Sequence, residues 1–154
     1  MASLVIESFD AMKEFVGKEF GSSDWLMVSQ ERIDQFAEAT EDRQWIHVDP
    51  QRAKNESPFG STIAHGFLTL SLISCLLKQA MEVRCAARLT VNYGVNRVRF
   101  LSPVRSGSRI RGRFTLLSFR ELPDAYEAVV ACSVEGEGGH KPCCVAEWIV
   151  RFYK

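Results

Sequence analysis

The sequence has no surplus of charge of either sign: 19 lysines and arginines stand against 19 aspartates and glutamates in 154 residues. A balanced chain has no global field to hold it on nucleic acid or an anionic membrane, so any anion binding must be local. Zinc-type cysteine spacing is also missing. Cys75, Cys85, Cys132, Cys143 and Cys144 are odd in number and form no C-x-x-C pair, which argues against a metal framework and for a reducing, cytoplasmic compartment. Cys75 lies in an apolar helical run and Cys132 in an apolar strand-like run, so both are expected to be inert core thiols.

No apolar run reaches the ~20 residues needed to cross a bilayer. The longest, Ile63 to Leu77, is interrupted by His65, Gly66, Thr69, Ser71 and Ser74 and reads as a buried helix. MASLVIESFDAMKEF has no basic n-region and only a three-residue apolar run before Glu7, so no secretory signal is expected and the mature chain is expected to start here. Internal repeats and low-complexity tracts are lacking as well. What remains, 46% apolar and 25% charged residues, is ordinary globular composition, and one domain over 1–154 with one core is expected.

The apolar spacing sets out the elements. Asp10 to Val16 is a short amphipathic helix stopped by Gly17, and Glu19 to Val28 is an irregular or edge strand broken by Gly21-Ser22-Ser23-Asp24. Ser29 is a good N-cap for an amphipathic helix to Ala39, with Ile33, Phe36 and Ala37 on one face. Glu41 to Ser61 carries Pro50, Pro58 and Gly60, which leaves a long loop with room only for a short helix around Gln51 to Asn55; loops this long are usually functional. Ile63 to about Met81 follows, capped by Ser61 or Thr62 and apolar on most sides, a buried helix about 28 Å long. From Arg84 the period changes to two, giving half-buried antiparallel strands around Arg97 to Phe100, Arg109 to Phe114, Ala125 to Val134 and Val145 to Tyr153, with turns at Pro103 to Gly107, Pro123-Asp124 and Gly136 to Gly139. Helices first and strands afterwards predict an α+β fold, one long helix on a curled antiparallel sheet.

The long loop holds the chemistry. Asp42 and His47, five residues apart, have ordinary pKa values near ~4 and ~6.5, and a carboxylate and a neutral imidazole in one cavity can hold one water and move its proton. The first turn of the next helix, at His65 and Gly66, offers unpaired N–H groups and the positive end of a dipole, the kind of donor that stabilises an enolate oxygen developing on a thioester. Gly66 would let a carbonyl approach the backbone closely, although close packing against a neighbouring element is an equal reason for a glycine there. Taken singly, Asp42 is a turn residue, His47 a surface or core histidine, and His65 a helix-start residue bonded to the loop. Only the combination points to a site.

The run E-D-R-Q-W-I-H-V-D-P-x-x-A, followed by S-P-F-G-S-T-I-A-H-G-F-L-T-L-S-L, resembles the hydratase-2 signature of the MaoC-like dehydratase family, most closely its nodulation-protein-N-type branch. The segment Asn92 to Phe100, with Pro103-Val104 and Gly107 after it, resembles the same branch. The resemblance covers most of the chain. It implies a hot-dog fold, a homodimer, an acyl-CoA or acyl-carrier thioester substrate, no metal or redox cofactor, and reversible syn hydration of a trans-2-enoyl thioester to the (R)-3-hydroxyacyl thioester. It also implies roles: Asp42 and His47 hold the water, the Gly66 N–H faces the thioester oxygen, and Ser74 supports the site.

Two positions depart from the family's commoner pattern. Gln44 stands where an asparagine is usual and Trp45 where a proline is usual. Gln44 keeps an amide able to orient the water or Asp42 on a stem one methylene longer, and Trp45 is placed to narrow the acyl pocket. Arg97, Arg99, Arg105, Arg109, Arg111 and Arg113 are candidates to meet CoA phosphates, but a strand face of arginines is more often a solvated surface. Two other readings compete with the hydratase. A hot-dog thioesterase usually has a carboxylate on or beside its central helix, and Ile63 to Met81 has none. A non-catalytic thioester-binding subunit would have no need of Asp42, His47 and Gly66 together.

Overall fold

The computed structural model describes residues 4–154. Its elements are β1 (Leu4–Ile6), α1 (Phe9–Lys13), β2 (Glu19–Ser22), β3 (Leu26–Met27), α2 (Gln30–Thr40), α3 (Trp45–Val48), α4 (Pro50–Glu56), α5 (Gly66–Ala80), β4 (Met81–Val83), β5 (Leu89–Phe100), β6 (Arg109–Glu121), β7 (Ala125–Gly136) and β8 (Pro142–Tyr153). The strands form an antiparallel sheet in the order β2-β6-β7-β8-β5, with β3 also on β6, and α5 packs on β6, β8, β2 and β7. This is the expected hot-dog architecture, a long helix held by a curled sheet. The curl has a local cause: the ladders slip at Leu116/Ser118, Asn92/Gly94 and Glu19/Gly21, and each bulge bends its strand and adds twist.

Alternation on the three inner strands makes the core. Ile110, Phe114 and Leu116 of β6, Val130, Cys132 and Val134 of β7, and Cys144, Ala146 and Val150 of β8 are buried against Leu68, Ile73, Leu76 and Leu77 of α5. Gly112 lets β6 pass close to the helix, because a Cβ there would meet the Phe114 ring and the Leu76 side chain. On the outer face, arginines pair with glutamates: Arg113 with Glu19 at 2.8 Å, Arg111 with Glu135 at 2.8 Å, and both Arg120 and Arg151 with Glu127. Arg97 pairs with Glu147 and Arg109 with Glu137. This is the solvated arginine face, its charges taken up within the sheet.

Several expectations need correction. The buried helix does not start at Ile63 under a Ser61 or Thr62 cap: Ile63 bridges to Arg105 and the Ala64 N–H donates to the Val104 carbonyl at 2.7 Å. That pairing holds the chain extended until His65, so α5 has 15 residues and a length of about 22 Å. Nor is α5 buried all round, since Phe67 is 67% exposed and Ser71 and Lys78 face outward. Cys75 shares that outward face and is exposed rather than a core thiol, whereas Cys132 is buried as expected.

Burial pushes the Cys132 thiol up to about 12, which keeps it inert. The stretch from 41 to 61 is largely two short helices, α3 and α4, rather than a loop with one. Strand β5 is not half-buried: most of it is exposed on both faces, because it is the sheet edge and only β8 pairs with it among the described residues. The parallel pairing of β1 with β4 had no signal in the pattern. Among the described residues, no helix is long and apolar enough to cross a membrane.

Candidate active site

Helix α2 begins as expected, with the Ser29 hydroxyl accepting from the Arg32 N–H. It ends at Glu41, which adopts a left-handed conformation at φ 60°, unusual for a residue with a side chain. That turn sends Asp42, Arg43 and Gln44 back across the start of α5. The chain then makes the single turn α3, so His47 sits on a short helix rather than in a loop, and is 7% exposed.

Four contacts hold His47. Its Nδ1 lies 2.7 Å from the Ile63 carbonyl. A carbonyl only accepts, so Nδ1 carries the proton and Nε2 presents the lone pair. The His47 N–H donates to the Gln44 carbonyl at 2.9 Å, and its carbonyl accepts from the Gln30 side-chain amide at 2.7 Å. The Gln30 amide oxygen in turn accepts from the hydroxyl of buried Thr62. Finally the His47 ring stacks on the ring of His65 at a centroid distance of 3.8 Å and 24° between planes. Burial, reinforced by the His65 neighbour, pushes the His47 pKa below its ordinary 6.5 against the opposing pull of the Ile63 carbonyl and Asp42. Neutral His47 with a free Nε2 is therefore its form at neutral pH, as a general base requires.

Asp42 is more open, its side chain 55% exposed. Its carbonyl accepts from His65 Nε2 at 2.8 Å, and its carboxylate oxygen Oδ2 stands 4.0 Å from the same nitrogen. Asp42, His47 and His65 each present one donor atom within 4.8 Å of the other two. Each ring donates one N–H to a carbonyl and keeps a lone pair on its other nitrogen, so the three residues together could hold a cation or move a proton.

Gly66 is the first residue of α5, behind an N-cap, His65, that makes no side-chain cap bond. The first N–H groups of a helix have no acceptor within it, and the first intrahelical donors here are Leu68 and Thr69, both to the His65 carbonyl. The glycine also has a packing reason, since a Cβ would lie 2.8 Å from the Phe100 ring. Beside it is a cavity of about 240 Å³ lined by Ile63, Gly66, Thr69, Phe100, Leu101 and Pro103 among others.

Gln44 is exposed and makes no side-chain cap bond at the start of α3. Trp45 lies under the Arg52 guanidinium at 4.4 Å. Ser74 stands two turns along α5 from Gly66, roughly 12 Å away, with its hydroxyl donating to the Ser71 carbonyl. It lines two cavities: about 260 Å³ with Leu70, Ser71 and Asn92, and about 360 Å³ with Met12, Leu77 and other apolar side chains, Trp148 bordering both. So Asp42, His47 and Gly66 come together at the head of α5, while Ser74 belongs to its apolar side. Gln30, Thr62, His65 and Phe100 were missed or underweighted as parts of this site. His65 had a signal, its place beside Gly66; Gln30 lies 17 residues from His47 and had none.

Residues 12–135 match the MaoC like domain. The chain belongs to the MaoC-like dehydratase family. It is 47% identical over 147 residues to 3-hydroxyacyl-thioester dehydratase Z of Mycobacterium tuberculosis, covering 95% of this chain and 96% of the relative. It is 50% identical over 139 residues to nodulation protein N of Rhizobium leguminosarum bv. viciae, covering 87% and 84%. The branch that the motif suggested is thus the branch to which these relatives belong. Among solved structures, an (R)-hydratase from A. caviae involved in PHA biosynthesis superposes with a TM-score of 0.67 at 25% identity, covering 86% of this chain and 95% of the other.

Proposed function

We propose that this MaoC-like protein is a hydro-lyase that adds water reversibly to a trans-2-enoyl thioester of CoA or an acyl carrier, giving the (R)-3-hydroxyacyl thioester. The observation that carries the reading is His47, neutral, buried and with Nε2 unprotonated, clustered with the Asp42 carboxylate at the head of α5. A water held by the pair gives its oxygen to C3 of the substrate as Nε2 accepts one of its protons. The C2–C3 π electrons pass into the thioester, whose oxygen lies at the Gly66 N–H, where a fixed donor stabilises the developing charge. The pair then returns a proton to C2 on the same face, so the enzyme ends as it began. The substrate supplies its own activation through the thioester, and the mechanism calls on no metal or redox group.

The acyl tail is assigned to the apolar cavity beyond Ser74, with Trp148 on its wall. Tails that fill it must run about two helical turns, roughly 12 Å, from Gly66, so turnover is expected to improve with chain length beyond crotonyl. The same reading gives a homodimer. Val91, Tyr93 and Val95 of β5 are 39%, 55% and 44% exposed, and an apolar edge strand of this kind is a template for pairing. Val95→Lys is expected to shift the protein from dimer to monomer in light scattering.

The deciding experiment follows the loss of enoyl absorbance in the ultraviolet across enoyl-CoA chain lengths, with chiral analysis of the product. An (R)-3-hydroxyacyl product is expected, and an (S) product overturns the assignment. Release of free CoA thiol, seen with a thiol reagent, would point to a thioesterase instead.

A further inference from the structure

We infer that His65 is a positioning residue for the Asp42–His47 pair, its Nε2–H tying down the Asp42 main chain while its ring forms the platform on which the His47 ring lies. The inference rests on the hydratase reading for the reaction it serves, and on geometry for the role itself.

His65 is 3% exposed. Its Nε2 lies 2.8 Å from the Asp42 carbonyl, which can only accept, so Nε2 carries the proton and Nδ1 is left as a lone pair. That Nδ1 is buried with no protein partner. A buried acceptor without a partner is costly, and a helix N-cap that bonded its own first turn would avoid the cost, as Ser29 does at α2. His65 makes no such cap bond. The one hydrogen bond of its ring among the described residues goes 23 residues back along the chain, to the residue that bears the carboxylate. A residue placed only to start a helix has no need of that reach.

The ring is in contact with two other rings. His47 stacks on it at 3.8 Å and Phe36 of α2 leans on it at 5.0 Å and 53°. His65 therefore joins three pieces that the chain brings from different places: the turn after α2, the single turn α3, and the head of α5. Moving the ring would displace the carboxylate and the imidazole together, and a displacement of about 1 Å in an acid–base pair can cost on the order of 10²-fold in rate. The titratable groups facing His47 are Asp42 from the turn after α2 and His65 from α5. Nearby Arg43 and Glu38 pair with one another at 2.9 Å, and Asp34, which keeps its charge, accepts from the Gln30 amide.

Two variants separate the two parts of the role. His65→Phe keeps an aromatic platform and loses the donor; His65→Gln keeps a donor at nearly the Nε2 position and loses the ring. With crotonyl-CoA as the probe, His65→Phe is expected to lower kcat roughly 10²-fold with KM little changed, and His65→Gln to recover kcat to within about tenfold of wild type. In both, the acid limb of the kcat/KM profile should move to higher pH, because the neighbouring imidazole that disfavours charge on His47 is gone. Wild-type kcat and an unmoved acid limb in both variants would overturn the inference. If the variants do not fold, the ¹⁵N shifts of the wild-type imidazoles decide it. His65 is expected as the Nε2–H tautomer and His47 as the Nδ1–H tautomer, and an Nδ1–H His65 refutes the tie to Asp42. A wild-type chain that turns over no enoyl-CoA refutes the hydratase reading separately, and the tautomers still report whether His65 holds the pair.

Discussion

At the head of α5, His65 is fixed by a hydrogen bond to the Asp42 carbonyl and by ring stacking on His47, while nearby Phe67 lies 67% exposed. About three to four turns on, the apolar side chains of Leu76, Leu77 and Ala80 are buried at 0%, 9% and 4%. The head buries little apolar area but orders many polar groups; the far end does the reverse. Hydrophobic burial scales with area and is indifferent to direction, whereas hydrogen bonds are directional and contribute modest net stability. One helix can thus carry a site at one end and anchor the core at the other, and changes at the two ends should separate rate from stability.

The sharpest separation is expected from Asp42→Asn and His47→Asn. Each should lower enoyl-CoA turnover by ~10²-fold or more with a small shift in Tm, as read by an ultraviolet assay beside thermal unfolding. Retained activity in both would sink the hydratase. At the other end, Leu76→Ala should lose about 2–5 kcal/mol in urea unfolding and leave kcat within a few-fold. A large fall in kcat there would break the comparison.

Gly66→Ala tests the boundary between the two ends. The new Cβ would stand 2.8 Å from the Phe100 ring, an overpacking that costs about 1–3 kcal/mol; adding Phe100→Ala should restore Tm. Failure of that rescue would mean the glycine is needed for more than room beside Phe100.

The smallest expected effect is on pH dependence. His47 has its pKa lowered by burial and by His65, so the acid limb of kcat/KM should fall below the ordinary 6.5. The sign for stability is the same. Below 6.5 the unfolded chain takes up a proton that folded His47 refuses, so its contribution is present above pH 6.5 and is lost as pH falls toward the lowered folded value. A His47→Gln variant should show a flatter stability profile between pH 7 and 5.

Much of this was legible along the chain. Ser29 as a cap, the two-residue period of β6, β7 and β8, and the D-x4-H run followed by A-H-G reflect local rules, in which neighbours in sequence are neighbours in space. What misled were long-range contacts. The bridge of Ile63 to Arg105 and the bond from Ala64 to Val104 delayed the start of α5. The sheet edge exposed β5 although its alternation resembled that of the buried strands. Cys75 has an apolar neighbourhood in sequence, but where the sheet lies settles which side of the helix it occupies, and that side is exposed.

The sequence by itself determined the family, the fold class and the residue types available for acid–base chemistry, because motif and periodicity are properties of the chain. Only the tertiary structure decided which nitrogen of His47 is free and that His65 bridges both partners. It also decided that Gly66 faces Phe100. Each of these depends on a bond or contact between segments 16 to 34 residues apart, and no local pattern encodes the direction of such a contact.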